Sequence, residues 1–292
     1  MSVRAWIQAA RPLAQANLAA PLLLGQAFAF AITDRFDATL LGLLALFGVL
    51  DQLFIVFAND VADAEHDRPD ARTLFSGGSG VIGEGKITRA ALARAAIGAY
   101  AALGLLSLVL AWLATPWALA AWALAGALLH AYSFPPLRRS YRGGGELLQG
   151  LGIGAVLPLL GFAVQAGTLQ GYPWATLAAT VLLGFAGNVA TALPDHTADR
   201  RANKRTWPVR LGVVRAAWAC LGLTVSAIYL ALVTSGALDR RVGYVAFAVA
   251  PLVLALFANV RTKPGVVRFV FAQGAATQLV WLGWAACCVF DP

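Results

Sequence analysis

Long apolar runs separated by short polar breaks fill the chain from end to end. A hydrocarbon layer about 30 Å thick is crossed by roughly 20 apolar residues in a helix. Nine stretches approach that length: 16–33, 40–60, 89–113, 117–134, 147–166, 174–194, 212–236, 242–260 and 267–290. The pattern predicts an all-α integral membrane protein with nine transmembrane helices, and an odd number of crossings puts the two termini on opposite sides. Residues 1–292 read as one transmembrane domain whose cap loops fall at about 60–88, 134–146 and 195–211.

Composition agrees with a membrane setting. Of 292 residues, 60% are hydrophobic and 12% charged, with a mean hydropathy of +0.72; a soluble domain carries about 25% charged residues. Lys and Arg accumulate in cytoplasmic loops. With the N-terminus inside, all of the 22 Lys and Arg residues except Arg35, Arg240 and Arg241 fall on the cytosolic side. This predicts a bacterial-type inner-membrane protein with a cytosolic N-terminus and an outer C-terminus. The net charge of +8 is spread over several loops, which suits anionic lipid headgroups and a phosphorylated substrate, and no nucleic acid. Arg4 and Arg11 bracket an apolar run too short for a cleavable signal, and Trp6 between them suggests an interfacial lead-in. Cys220, Cys287 and Cys288 lie in apolar spans, where Cys behaves as a small hydrophobe.

The connection from Asn59 to about Thr88 is long, and long loops in compact domains are usually functional. It contains Ser76-Gly77-Gly78-Ser79-Gly80, and a mobile cytosolic lid is the expectation. A faint internal repeat also shows. Pro21-Leu22-Leu23 returns as Pro158-Leu159-Leu160, Asn59-Asp60 as Pro194-Asp195, and Pro135 as Pro264, all at similar offsets. The repeat predicts two four-helix units plus a ninth helix around a central cavity.

Most of the 14 acidic residues lie in or beside the cytosolic loops, and two groups have suggestive spacing. At about 100° per residue, Asp60, Asp63 and Asp67 project within roughly 60° of one another if the helix continues that far, and Asp195 and Asp199 within about 40°. Both groups are expected at helix C-termini, where the macrodipole is already negative, so a cation should occupy each. Hard oxygen ligands suit Mg²⁺, which keeps waters and substrate phosphates in its shell. Two such clusters facing one cavity could hold a diphosphate. Arg68, Arg72, Lys86, Arg138, Arg139, Lys204, Arg205 and Arg210 are the candidates to balance its remaining charge. The competing reading is a set of solvated loop carboxylates.

These residues also carry a resemblance. Asn59-Asp60-Val61-Ala62-Asp63-Ala64-Glu65-His66-Asp67 resembles the N-D-x-x-D-x-x-x-D motif of the UbiA-type intramembrane prenyltransferases, and Asp195-His196-Thr197-Ala198-Asp199 their D-x-x-x-D motif. Lys204 to Gly212 is similar to the family's K-x-T-L-x-V-R-L-G tail, with Asn203 where a Gly is usual, and Tyr132-Ser133-Phe134-Pro135-Pro136 resembles its Y-S-x-P-P segment. Ser76 to Val81 and Tyr141 to Glu146 resemble the branch that prenylates 1,4-dihydroxy-2-naphthoate in menaquinone synthesis. The resemblance implies Asp60, Asp63, Asp67, Asp195 and Asp199 as catalytic ligands of two Mg²⁺ ions. It also implies a polyprenyl diphosphate donor and an aromatic acceptor that loses CO₂ after attack at the carbon bearing its carboxyl. The isoprenoid tail is expected among apolar helix faces open to membrane lipid.

Several further positions have two readings. Glu146 could orient or deprotonate the acceptor hydroxyl, or be a favourable acid in a helix first turn. Tyr132 could contact the acceptor or diphosphate, or anchor at the interface. Asn59 belongs to the first motif, and Asn188, one heptad before Asp195, could stand in for polar residues the family carries nearer the second. His66, His130 and His196 all fall near the cytosolic face. Asp51 lies about 13 Å deeper than Asp60 along the same helix, and an ionisable residue at such depth points to function. Rival functions are the same fold acting on 4-hydroxybenzoate, a glycerol phosphate lipid or a sugar phosphate, and a cation-coupled transporter.

Overall fold

The structure is a computed structural model that describes residues 2–65, 78–234 and 246–290. Every regular element among these residues is helical. Helix α1, Val3–Ala10, is amphipathic; Ser2 caps it by accepting the Ala5 N–H. It ends where Arg11 turns left-handed at φ +46°, a 3₁₀ turn begins at Pro12, and α2, Ala16–Thr33, follows. Helix α3, Ala38–Asp63, starts from Asp37, whose carboxylate accepts the N–H groups of Thr39 and Leu40. Thr88 caps α4, Arg89–Leu113, in the same way. After α5, Trp117–Ser133, come the short α6, Arg139–Arg142, and α7, Gly145–Leu151. A π-turn at Gly152–Val156 joins α7 to α8, Leu157–Ala166. Then follow α9, Leu177–Ala192; α10, His196–Arg201; α11, Trp207–Leu211; α12, Val213–Thr234; α13, Val249–Leu256; and α14, Lys263–Phe290.

Six helical runs among the described residues are long and apolar enough to cross a membrane: Val3–Thr33, Ala38–Asp63, Arg89–Leu113, Gly145–Ala166, Trp174–Ala192 and Val213–Thr234. Large apolar side chains stand outward on several of them, including Leu105, Trp112 and Trp218. An apolar exterior is matched by lipid, where helices also satisfy their own backbone. The protein is an integral membrane protein. Of the expected eighth stretch, 242–260, residues 246–260 are described, and α13 covers Val249–Leu256 of them.

Two close crossings set the interior. A Cβ on Gly25 of α2 would lie 2.0 Å from the Pro158 carbonyl oxygen, and one on Gly161 of α8 would lie 2.4 Å from that of Leu22. On the next pair, a Cβ on Gly154 would lie 2.3 Å from the Thr180 oxygen of α9. Small residues let membrane helices approach this closely. The α7–α8 segment is thereby pulled to the centre, and Gly152, Ile153 and Val156 of its π-turn face the internal cavity. Gly161→Leu is expected to force α2 and α8 apart, with overpacking costs of about 1–3 kcal/mol or more. A lowered thermal midpoint in detergent would register this. Gly98→Leu, where an added Cβ meets nothing within 4 Å, should leave the midpoint unchanged.

Candidate active site

Helix α3 stays regular through its last turn and delivers Asn59, Asp60 and Asp63 to one cavity. The second aspartate pair arrives differently from expectation. Helix α9 stops at Ala192; Leu193 keeps helical dihedrals, and Pro194, which has no N–H to donate, lies in the turn that follows. Asp195 then becomes the N-cap residue of the separate helix α10, with Asp199 in its first turn. The macrodipole argument therefore reverses there: these two carboxylates sit at a helix start, where negative charge is favoured. Past α10, Asn203 adopts φ +57°, as the left-handed tolerance of Asn allows. That turn lets the Lys204 N–H donate to the Asp199 carbonyl at 2.9 Å and points its side chain back toward the carboxylates.

The cavity measures about 300 Å³ and is walled at one end by Asp60, Asp63, Asp195, Asp199 and Lys204. The Lys204 ammonium lies 2.9 Å from an Asp63 oxygen and 3.6 Å from an Asp199 oxygen, so one cation joins two motifs about 140 residues apart in sequence. Tyr141 donates its hydroxyl to Asp63 at 2.9 Å, and Thr206 donates to Asp199 at 3.2 Å. Asp60, buried, pairs with the Arg11 guanidinium and accepts both the hydroxyl and the backbone N–H of Ser79. Burial alone would lower the Lys204 pKa, but Asp63 and Asp199 outweigh it and hold the ammonium above the ordinary lysine value. Burial pushes the Asp199 carboxyl up, against the pull of Lys204. The Tyr141 phenol is also raised, by burial first and then by Asp63.

Other expected residues divide. Tyr132, Glu146 and Asn188 line the cavity. Glu146 is buried and accepts the Trp207 N–H at 2.6 Å, Asn188 donates to Gln149, and Asn59 accepts from Ser133. Arg138, Arg139, Arg205 and Arg210 do not line it. Arg138 instead stacks 3.6 Å over the Tyr141 ring, and the Arg205 N–H holds the Tyr141 carbonyl at 3.0 Å, so both brace a residue that touches Asp63. Lys86 also stands off the cavity: Glu84, 2.5 Å away, and Gln8, 3.0 Å away, engage its ammonium. Gln8 also donates to the Ser79 carbonyl at 2.7 Å, so residues 78–88 are clasped by α1. His130 stacks on Phe134, and half-buried His196 meets Arg200 at 3.2 Å. Asp67, Arg68, Arg72 and His66 lie outside the described residues. Arg11 and Thr206 are site residues to which sequence reasoning gave no individual role, and Ser79 and Tyr141 entered it only as parts of longer segments. For Arg11 the available signal was the Arg-Pro break between the interfacial run and the first span.

Residues 18–266 match the UbiA prenyltransferase family. The chain belongs to that family. It is a membrane prenyltransferase, which removes the transporter reading. No curated protein matches it. Among solved structures, a UbiA homolog from Archaeoglobus fulgidus is similar with a TM-score of 0.70 at 18% identity, covering 98% of this chain and 99% of that one. A UbiA homolog from Archaeoglobus fulgidus bound to DMAPP and Mg²⁺ gives a TM-score of 0.68 at 19% identity, with the same coverage. A digeranylgeranylglyceryl phosphate synthase gives 0.66 at 14% identity, covering 99% of both chains.

A UbiA site implies a divalent metal, and the donors present fit one. Among the described residues, no three His, Cys, Asp or Glu side chains gather closely enough to chelate an ion alone. Mg²⁺ favours one or two carboxylates completed by water and phosphate oxygens, and the carboxylates here form such sparse groups, already charge-balanced by Arg11 and Lys204. Lys204→Met leaves Asp63 and Asp199 without their shared cation and should cost about 3 kcal/mol, the low end for a broken buried pair because Asp63 keeps some solvent contact. Its thermal midpoint should fall, and Mg²⁺ should restore part of the loss, with a larger shift than the wild type shows. No recovery at saturating Mg²⁺ would separate these carboxylates from the metal.

Proposed function

We propose that this UbiA-family enzyme transfers a prenyl group from a polyprenyl diphosphate to an aromatic acceptor, with 1,4-dihydroxy-2-naphthoate as the acceptor and loss of its carboxyl as CO₂. The observation that carries the reading is the placement of Lys204 between Asp63 and Asp199, which makes one charged chamber of two distant motifs. Asp60, Asp63, Asp195 and Asp199, with Asp67 beyond the described residues, are the ligands for two Mg²⁺ ions. When bound, Mg²⁺ supplies positive charge that makes the diphosphate a better leaving group. Lys204 and Arg11, released from the carboxylates, contribute hydrogen bonds to the phosphate oxygens. Charge placed where the leaving group develops its own is the main source of rate in such a site. As the allylic C–O bond breaks, its electron pair leaves with the diphosphate, and a ring carbon of the acceptor forms the new C–C bond. Tyr132, Glu146 and Asn188 line the chamber and orient the acceptor.

The reading extends to layout. Nine crossings in two four-helix units plus α14 are supported by matching pairs: α3 packs on α4 as α9 packs on α12. A cytosolic N-terminus and chamber are supported by the loop Lys and Arg bias, and Arg11 and Lys204 share that side. A second acceptor class, a glycerol phosphate lipid, is favoured by the fold likeness to digeranylgeranylglyceryl phosphate synthase.

Purified enzyme given geranylgeranyl diphosphate and each acceptor separately, read by mass spectrometry, should yield a prenylated, decarboxylated naphthoquinol. Turnover of 4-hydroxybenzoate, a glycerol phosphate lipid or a sugar phosphate in its place would reassign the acceptor. Asp60→Asn and Asp195→Asn should each lower kcat by about 100-fold or more, and EDTA should abolish turnover until Mg²⁺ is returned. Full activity in either variant would refute the ligand assignment.

A further inference from the structure

The deeper part of the chamber holds a carboxyl group that the chemistry at the mouth does not use. Asp51 and Gln52 of α3 both line the cavity and are each 5% exposed. Phe47, one turn deeper than Asp51, packs with Leu18, Ala121 and Leu157, which also face the cavity, so the wall below it is hydrocarbon, and the nearby Tyr100 hydroxyl is spent on the Trp122 carbonyl. One oxygen of Asp51 is enclosed and has no hydrogen-bond partner among the described residues. Asp60, Asp63 and Asp199, by contrast, are each held by a cation or a hydroxyl. A carboxyl left bare in an apolar wall is unfavourable, and buried polar groups are almost always bonded. An isoprenoid tail offers no donor and cannot complete it. A ring hydroxyl can.

We infer that Asp51 is an acceptor-binding residue that sets specificity: its carboxyl takes a hydrogen bond from a hydroxyl on the side of the ring remote from the alkylated carbon. The inference rests on the prenyl-transfer reading with a hydroxylated aromatic acceptor. Nine residues separate Asp51 from Asp60, about 13 Å of helix, so the donor's reacting carbon and the acceptor ring lie between the diphosphate end and Asp51. Charge fixes which way the acceptor faces. An acceptor carboxylate finds no donor at Asp51 and turns toward the mouth, where the Arg11 and Lys204 cations lie and the bond forms. In 1,4-dihydroxy-2-naphthoate the 4-hydroxyl then points at Asp51. The prenyl tail runs elsewhere along the apolar wall.

The test compares wild type, Asp51→Leu and Asp51→Asn as full-length protein in lipid nanodiscs with Mg²⁺, using 1,4-dihydroxy-2-naphthoate and 1-hydroxy-2-naphthoate, which lacks the 4-hydroxyl. Wild type should favour the dihydroxy acceptor by about tenfold or more in kcat/KM, the worth of one hydrogen bond to a charged group. Asp51→Leu should erase that preference, the mark of a direct coupling, and leave the KM for prenyl diphosphate within about twofold, because Asp51 lies far from the phosphate end. Asp51→Asn should fall between them. Apart from turnover, dihydroxynaphthoate alone should raise the thermal midpoint of wild type and not that of Asp51→Leu. Equal loss on both acceptors, or a raised diphosphate KM, overturns the assignment; if Asp51→Leu does not fold, Asp51→Asn decides on the same readouts. A wild type that ignores naphthoates but prenylates another ring hydroxyl compound defeats the naphthoate reading alone, and that compound and its hydroxyl-deleted form then replace the pair. Turnover confined to an acceptor without a ring defeats both.

Discussion

Carboxylates gathered beside a lipid-facing helix bundle repel one another, and every feature of the chamber mouth answers that repulsion. Arg11 sits on Asp60, and Lys204 divides itself between Asp63 and Asp199. Tyr141, Ser79 and Thr206 supply donors to the remaining oxygens. The arrangement is stable because each negative group has a partner, and it is exchangeable because those partners are side chains from loops and short helices. On the proposed reading, divalent ions and a diphosphate bring their own balance of charge, so the same residues serve a loaded and an unloaded state.

The helices were legible in the sequence because apolar length is a direct consequence of membrane thickness. Helix α4 covers Arg89–Leu113, the stretch that hydropathy alone outlines. The aspartate motifs were legible as types and spacings. What could not be read was how the second motif reaches the cavity. A periodic projection carries α9 on through Asp199, whereas α9 ends at Ala192, Pro194 lies in the turn, and α10 restarts with a new dipole. The long Arg and Lys side chains were equally opaque, since their reach covers several alternatives. Lys86 was expected at the phosphates and is held by Glu84, while Arg11, two helices away from the motif in sequence, reaches Asp60.

Packing and chemistry meet in the α7–α8 segment. Gly25, Gly154 and Gly161 bring its backbone against α2 and α9, and the π-turn at Gly152–Val156 displaces one face of the helix into the cavity. Such turns are frequent at functional sites because they re-aim side chains without breaking the helix. Glu146 and Gln149 precede the turn, and Ile153 and Val156 lie within it. One continuous segment thus presents polar groups toward the mouth and apolar ones farther along.

The left-handed break at Arg11 ties the first helix to the first aspartate. Trp6 packs against Phe57, and Gln8 clasps residues near Ser79, so α1 is held to the site along its length. Removing residues 2–11 would strip a counter-ion from Asp60 even though it changes nothing in the motif itself. Chains that differ at Arg11 therefore differ in the net charge around Asp60, although their aspartate motifs are identical.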